Sequence, residues 1–302
     1  QVSPRIGFTW DVFGDKSLKV RGGTGLFAGR LPLVFFTNMP SNALMAQGSA
    51  VASTTYALDG TITPDAALNK FKGGLVTDVT KIRELLGAPA TITPEQGSLP
   101  KNFAGVDHNF KMPQVWKTAI AIDGQVPVSF PLSFTAEFTF TKKIHDVMLD
   151  NYNIKSNEGW ETLKGTGDDR YVYPNDYRYY KNINSACVLT NTSKGYGWTF
   201  NFTVNAEPVQ NLNLMAAYTH TVMKELTGMP GNNAYSTWAN MYAVQGPNFL
   251  ELGNSRYVIP DRLIASASYK YAKEHFSLFY TGYSPSGYSF YYDGDINGDG
   301  NR

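Results

Sequence analysis

Apolar and polar residues alternate with a period of two along much of the chain, and long stretches without that period interrupt the alternation. At the start, Ile6, Phe8, Trp10 and Val12 are apolar, while Arg5, Gly7, Thr9 and Asp11 between them are polar or small. Successive side chains of a strand point to opposite faces, so this pattern predicts a strand with one apolar and one polar face. Gly14-Asp15-Lys16-Ser17 supplies a tight turn. Leu18, Val20, Thr24, Leu26 and Ala28 then alternate with Lys19, Arg21, Gly23 and Gly25. Each arm has about ten residues, the length with which a tilted strand crosses a bilayer. The stretch 4–29 reads as a transmembrane β-hairpin.

Three further hairpins repeat it. Trp116, Thr118, Ile120 and Ile122 alternate with Lys117, Ala119, Ala121 and Asp123. After a short connection at 124–131, Leu132, Phe134, Ala136, Phe138 and Phe140 alternate with Ser133, Thr135, Glu137, Thr139 and Thr141. Tyr196, Trp198, Phe200, Phe202 and Val204 lead into a turn at 207–211, and Leu212, Leu214, Ala216 and Tyr218 return the chain. The last hairpin pairs 263–271 with 276–282. Short turns thus fall near Asp15, Val126, Gln210 and Lys273. Long segments fall at 30–114, 142–194 and 223–261, around Ala57, Tyr173 and Tyr242. Antiparallel order puts all the short turns at one end of the sheet and all the long segments at the other. Outer-membrane barrels show that asymmetry, with short periplasmic turns and long extracellular loops. A β-sandwich shows the same alternation but has no reason to segregate its loop lengths. In a barrel, Phe134, Phe138 and Phe200 face lipid, and Thr135, Glu137 and Asn201 face a wet lumen together with Arg5, Arg21 and Lys117. The predicted class is all-β: an antiparallel transmembrane β-barrel segment of about eight strands with long extracellular loops.

Two short helices are expected within 30–114. One starts at Thr63-Pro64-Asp65, with Thr63 as cap, and stops at Gly73; the other carries Val79, Ile82, Leu85 and Leu86 on one face and ends at Gly87. Connections this long with their own elements read as folded functional loops. The loop at 142–194 holds Tyr171, Tyr173, Asp176, Tyr177, Tyr179 and Tyr180. Tyrosine rings stack on apolar faces and their hydroxyls hydrogen-bond, so these six are candidate contacts for a sugar or peptide. The competing reading is that they only pack the loop. Near the C-terminus, Asp293, Asp295 and Asn297 place oxygens at alternate positions, Gly298 follows, and Asp299 can add a carbonyl. That is the first half of an EF-hand-type calcium loop, and the same residues also make an ordinary turn. Calcium is the one cofactor the sequence raises.

Composition narrows the picture. The 302 residues carry a formal net charge of +1, which gives no field that would favour nucleic acid. With a single cysteine, Cys187, an internal disulfide and a cysteine metal cluster are both excluded; Cys187 lies in a Val-Leu-Thr strand and reads as an inert buried thiol. Aromatic residues make up 14%, an excess that fits the girdles of a barrel and would also fit a carbohydrate-binding β-sandwich, so composition alone does not decide between them. No apolar run is long enough for a transmembrane helix, which leaves barrels untouched. The four histidines, His108, His145, His220 and His275, show no metal-ligand spacing, and His220 reads as packing near a girdle. Gly22, Gly23, Gly25 and Gly29 precede no Lys-Ser pair and lie in a strand pattern, which points to bends or close approach rather than a phosphate loop.

The stretch 4–38 resembles the TonB-dependent receptors, in the branch with an N-terminal carboxypeptidase-regulatory-like domain. The residues that carry the resemblance are Pro4-Arg5-Ile6-Gly7-Phe8-Thr9-Trp10-Asp11, Phe13-Gly14-Asp15-Lys16, Val20-Arg21-Gly22-Gly23-Thr24-Gly25-Leu26-Phe27, Gly29-Arg30-Leu31-Pro32 and Asn38. Asn205-Ala206-Glu207-Pro208, Leu212-Asn213-Leu214, Ala217-Tyr218-Thr219-His220-Thr221 and Tyr283-Ser284-Pro285-Ser286-Gly287 are similar to the same branch. The resemblance implies a barrel of about 22 strands around an internal plug, importing a bulky nutrient such as a glycan or peptide with energy relayed by TonB. Residues 1–302 would then be part of the barrel domain, with the signal peptide, regulatory-like domain, plug and TonB box outside it. The implied setting is the cell outer membrane, and the implied partners are its lipid, the TonB complex reached through the plug, and a surface lipoprotein. The alternative is a binding or adhesion barrel that transports nothing. An outer-membrane enzyme ranks last, because no catalytic set appears.

Overall fold

The computed structural model of the chain describes residues 2–37, 39–40, 42–43, 48, 54–56, 61–71, 75–93, 95, 97, 101–163, 169–241, 243–290 and 292–300. Asn38, Ala57, Gly73 and Tyr242, which entered the sequence reading, lie outside the described residues. In chain order the strands are β1 (Arg5–Asp11), β2 (Leu18–Ala28), β3 (Thr54–Tyr56), β4 (Ile62–Pro64), β5 (Asn102–Val106), β6 (Gln114–Gln125) and β7 (Leu132–Asn151). They continue with β8 (Ser185–Thr192), β9 (Tyr196–Val209), β10 (Leu212–Glu225), β11 (Gly253–Asn254), β12 (Asp261–Tyr271) and β13 (Glu274–Tyr283). The helices are short: α1 (Val34–Thr37), α2 (Ala66–Asn69), α3 (Val79–Leu86) and α4 (Ala234–Ala239).

Eight strands form one antiparallel wall in the order β1-β2-β6-β7-β9-β10-β12-β13. They are the strands the period of two predicts. β1 and β13 stand at opposite ends and do not pair with each other, so the sheet is open. The register carries the alternation across the wall. One row runs Arg21, Ala121, Glu137, Asn201, Thr219, Arg262; the adjacent row runs Val20, Ile122, Ala136, Phe202, Tyr218, Leu263. Residues in register share a face, so one side of the wall is polar and the other apolar. Neither side is covered. Phe138 and Phe200 are 40% and 37% exposed, and below His145 the only buried apolar side chain among the described wall residues is Ala121. A sandwich would bury this apolar face against a second sheet; here it is free for lipid.

The core of the molecule lies elsewhere, at the long-loop end. There Leu31, Phe35, Ala104, Val147, Leu149, Ile154, Cys187, Leu189, Ala234, Trp238 and Met241 form one buried cluster. β7 reaches into it, ten residues past Thr141, where the alternation reading ended that strand. A bulge explains the difference. Val115 pairs with Lys143 but Gln114 pairs with His145, so Ile144 is the extra residue. One inserted residue exchanges the two faces of a strand. Apolar side chains occupy even positions below the bulge (Phe134, Phe138, Phe140) and odd positions above it (Val147, Leu149). Beyond the bulge β8 pairs with β7, and β5 lies parallel to β8.

The expected helices are corrected in detail. Thr63 and Pro64 belong to β4, which pairs with β3, and the cap of α2 is Asp65, whose carboxylate accepts from Leu68 N at 2.6 Å. The strand pairing holds Thr63 extended, so the helix starts later. α3 has the expected bounds. Asp78 caps it by accepting from Thr80 N at 2.8 Å, and Gly87 closes it with φ 70°. None of its residues is fully buried: Ile82, Leu85 and Leu86 are half-buried and Val79 is exposed.

Phe138→Arg should cost roughly 2–4 kcal/mol if Phe138 sits near the bilayer midplane. Glu137→Gln, on the polar face, should cost less than about 1 kcal/mol. Urea unfolding of the full-length protein in lipid vesicles measures both. Equal costs would contradict the assignment of faces.

Candidate functional site

The tyrosine-rich segment is fastened to the end of β7 by backbone and asparagine bonds. Lys155 N donates to Tyr177 O at 2.8 Å, and Tyr179 N donates to Asn153 O at 2.9 Å. The buried Asn153 side chain donates to Tyr180 O and Ile183 O and accepts from Tyr180 N at 2.9 Å. Asn248 accepts from Asn151 N and Trp238 Nε1, both at 2.8 Å. These contacts tie the segment to the core, and they join residues too far apart in sequence for any spacing to reveal them.

The six candidate ligand contacts divide into two groups. Tyr173 is only 6% exposed. Its ring meets Trp160 at 4.7 Å, Tyr177 at 5.2 Å and Phe249 at 6.2 Å between centroids. Its hydroxyl donates to Gln245 O at 3.3 Å, and burial pushes the phenol pKa well up. Gly246, at φ 96°, makes room for that hydroxyl, which a Cβ would overlap. Tyr171 packs on Trp160 and Phe249, and the half-buried Tyr177 carries the Arg178 guanidinium 4.9 Å from its ring centre. The other three reach the surface. Asp176 pairs with Lys155 at 2.8 Å, and that hydrogen bond holds its carboxyl below the ordinary value. Tyr179 and Tyr180 are 61% and 65% exposed. Their two rings offer exposed stacking faces and hydroxyl groups, and the Asp176–Lys155 pair lies in the same segment. Sequence reasoning missed Trp160 and Phe249, which build the platform beneath; their only sequence signal is that they are aromatic residues in long loops.

The C-terminal run docks on the same platform. Tyr173 N donates to Asn297 O at 2.7 Å, and Asn297 is 8% exposed. Asp295 accepts from the amides of Gly298, Asp299 and Gly300 at 2.7, 3.1 and 3.0 Å. Asp299 adds its charge to the forces raising the Tyr173 pKa. The two candidate sites, far apart in sequence, are therefore neighbours. Among the described residues, no three His, Cys, Asp or Glu side chains gather where they could hold one ion.

On the polar face of the wall, Arg21 donates to Asp123 at 2.9 Å and Glu137 at 3.1 Å, and Thr135 donates to Asp123 at 2.8 Å. Arg5 and Lys117 converge on the Phe27 ring, at 4.3 and 5.9 Å from its centre. Close approach accounts for Gly25, where a Cβ would lie 2.6 Å from Pro4 O. His220 bonds Asp261 at 2.8 Å and packs on Trp198. Cys187 is fully buried, and burial pushes its thiol pKa up to about 12.

Asp150, in the loop-end part of β7, gives this region a pH dependence. Burial raises its pKa, only partly offset by a 3.3 Å bond from Thr190 Oγ1. The native state then holds this proton more tightly than the unfolded chain does. Stability is greatest below the unfolded value of about 4 and falls as pH rises through the raised one. Asp150→Asn should flatten that fall, as read by the pH dependence of the urea midpoint from tryptophan fluorescence.

No curated protein matches the chain. The model of a family described as an outer membrane beta barrel domain matches residues 1–285. With an open antiparallel wall, apolar outside and polar inside, and a folded unit over its long-loop end, the chain belongs to that outer-membrane barrel family.

Proposed function

We propose that this outer-membrane chain forms part of the wall and extracellular face of a TonB-dependent receptor that imports a bulky nutrient, a glycan or peptide. The observation that carries the reading is the open, polar-lined wall. Arg21, Asp123, Glu137 and Thr135 form a bonded network across β2, β6 and β7 on the lumen side, and eight adjacent strands do not close around it. Backbone in hydrocarbon must be fully paired, so such a wall belongs to a larger barrel. An eight-stranded barrel would fill its interior with side chains; a larger one leaves a lumen. In this reading the lumen holds a plug that contacts TonB, and a surface lipoprotein covers the extracellular mouth. Tyr179, Tyr180 and Asp176 take the nutrient, and no enzymatic step is proposed.

The test compares growth on a panel of glycans and peptides for strains lacking the receptor gene or TonB function. Loss of growth on the same panel member in both strains supports import. Unchanged growth of the receptor-deletion strain on every member favours the adhesion reading, to which the self-contained extracellular core lends some weight. For a nutrient identified this way, Tyr179→Ala and Tyr180→Ala should each weaken binding by roughly 0.5–1.5 kcal/mol. Isothermal calorimetry on the purified receptor measures that loss.

A calcium ion in the C-terminal run is part of the same proposal. Asp293, Asp295 and Asn297 would supply side-chain oxygens and Asp299 its carbonyl, next to Tyr173. Calorimetry with calcium should show binding by the full-length protein and none by an Asp293→Ala/Asp295→Ala variant. Flat traces for both would leave the run as a turn.

A further inference from the structure

The outer rim of the lipid-facing side carries two lysines, Lys142 and Lys224, that form no ion pair among the described residues. The register sets Leu26, Trp116, Lys142, Tyr196, Lys224 and Asn254 in one row across β2, β6, β7, β9, β10 and β11. Phe140 and Trp198 occupy the next row toward the membrane, and Phe138 and Phe200 the one after. Lys142 and Lys224 flank Tyr196, two strand spacings or about 10 Å apart along the row, within reach of one shared group. Among the described residues neither has an ion-pair partner, whereas Lys143, on the opposite face, is neutralised by Asp146 at 2.5 Å and Glu225 at 3.0 Å. Asp261, an acid on the same face, is occupied by Tyr218 at 2.6 Å and His220 at 2.8 Å.

The depth of the row decides what it meets. Trp116, Tyr196 and Trp198 form the aromatic belt that marks the headgroup level of a barrel. A lysine there faces lipid headgroups, and its compact ammonium is a point charge suited to phosphate. We propose that Lys142, Tyr196 and Lys224 bind the phosphate of a phosphorylated glycolipid of the outer leaflet. The two ammonium groups clamp the phosphate and the Tyr196 hydroxyl donates to it. The acyl chains lie along Phe140, Trp198 and Phe138, an apolar ladder that free phosphate would not use. The site rests on the barrel alone and stands whether or not the protein imports anything.

The test uses the intact receptor in detergent with bis-phosphorylated lipid A, and native mass spectrometry reads the bound lipid. Removing one lysine should weaken retention about fivefold, and Lys142→Ala/Lys224→Ala about 25-fold. Lys142→Arg/Lys224→Arg, which keeps the charge, should retain most of the binding, which separates loss of the site from loss of the fold. Lipid A stripped of both phosphates should bind the unaltered receptor as weakly as the phosphorylated form binds the double alanine variant. Excess inorganic phosphate should leave the lipid in place. Equal retention by the unaltered receptor and the double alanine variant overturns the site. So does equal retention of the dephosphorylated lipid, or displacement of the lipid by inorganic phosphate.

Discussion

In hydrocarbon there is no water to bond an exposed amide or carbonyl, so the backbone must satisfy itself within the sheet. The structure of this chain follows from that requirement. Neighbouring strands are joined by short turns at one end, and apart from a register shift beside the β9–β10 turn the pairing runs continuously through the wall up to the bulge in β7. Once backbone pairing holds the wall together, side chains need not. The wall can therefore present Phe138 and Phe200 outward and a charged network inward, with almost no side chain buried, an arrangement no water-soluble sheet could sustain. Stability in the wall comes from pairing and lipid contact; in the loop-end unit it comes from ordinary packing around Leu149, Leu189 and Trp238.

The two regimes meet at the bulge in β7, where the inserted Ile144 exchanges the faces of the strand. One continuous strand can then serve lipid with its even positions and a water-excluding core with its odd ones. The Lys143–Asp146–Glu225 cluster sits at this joint, its side chains 12–20% exposed. Lys143 carries one charge against two carboxylates, and among the described residues Glu225 Oε1 is buried without a hydrogen-bond partner. Such a cluster is a costly way to gain stability, because desolvation offsets much of the attraction. It is a good way to fix geometry, since Lys143 links β7 to β10 across β9 and any other register would leave charges buried and unpaired.

The same physics explains what the sequence made legible. A strand that faces lipid on one side and water on the other has an unambiguous period of two, so all eight wall strands could be read from Ile6, Phe8 and Trp10 onward. The loop-end unit offers no such signal. β5 and β8 pair in parallel across a long stretch of chain, and the pairing depends on residues that meet only after folding. The extension of β7 was hidden because its bulge reverses the alternation. Thr63-Pro64 has the composition of a helix start, but pairing with β3 overrode it. The tyrosine cluster was visible as composition, yet which rings lie inside depends on Trp160, Phe249 and Gly246, in separate loops.

That division bears on how an outer-membrane barrel of this kind could vary its loop surface without changing its wall. The wall constrains every residue twice, through its face and its depth, so substitutions there are judged by lipid and lumen. Tyr179 and Tyr180 carry neither constraint. They stand on a platform whose own packing is completed by Tyr173, Trp160 and Phe249 beneath, and by Asn153, which holds both ends of the Tyr180 peptide. Their side chains can therefore vary while their backbone positions stay fixed, which is the property a contact surface needs. The contrast with Tyr173 is the useful one: its hydroxyl on Gln245 O and its ring against Trp160 and Phe249 tie two loops together, so its side chain cannot be exchanged without loosening that packing. Exposed and packed tyrosines thus stand within one short segment, and only the folded geometry separates them.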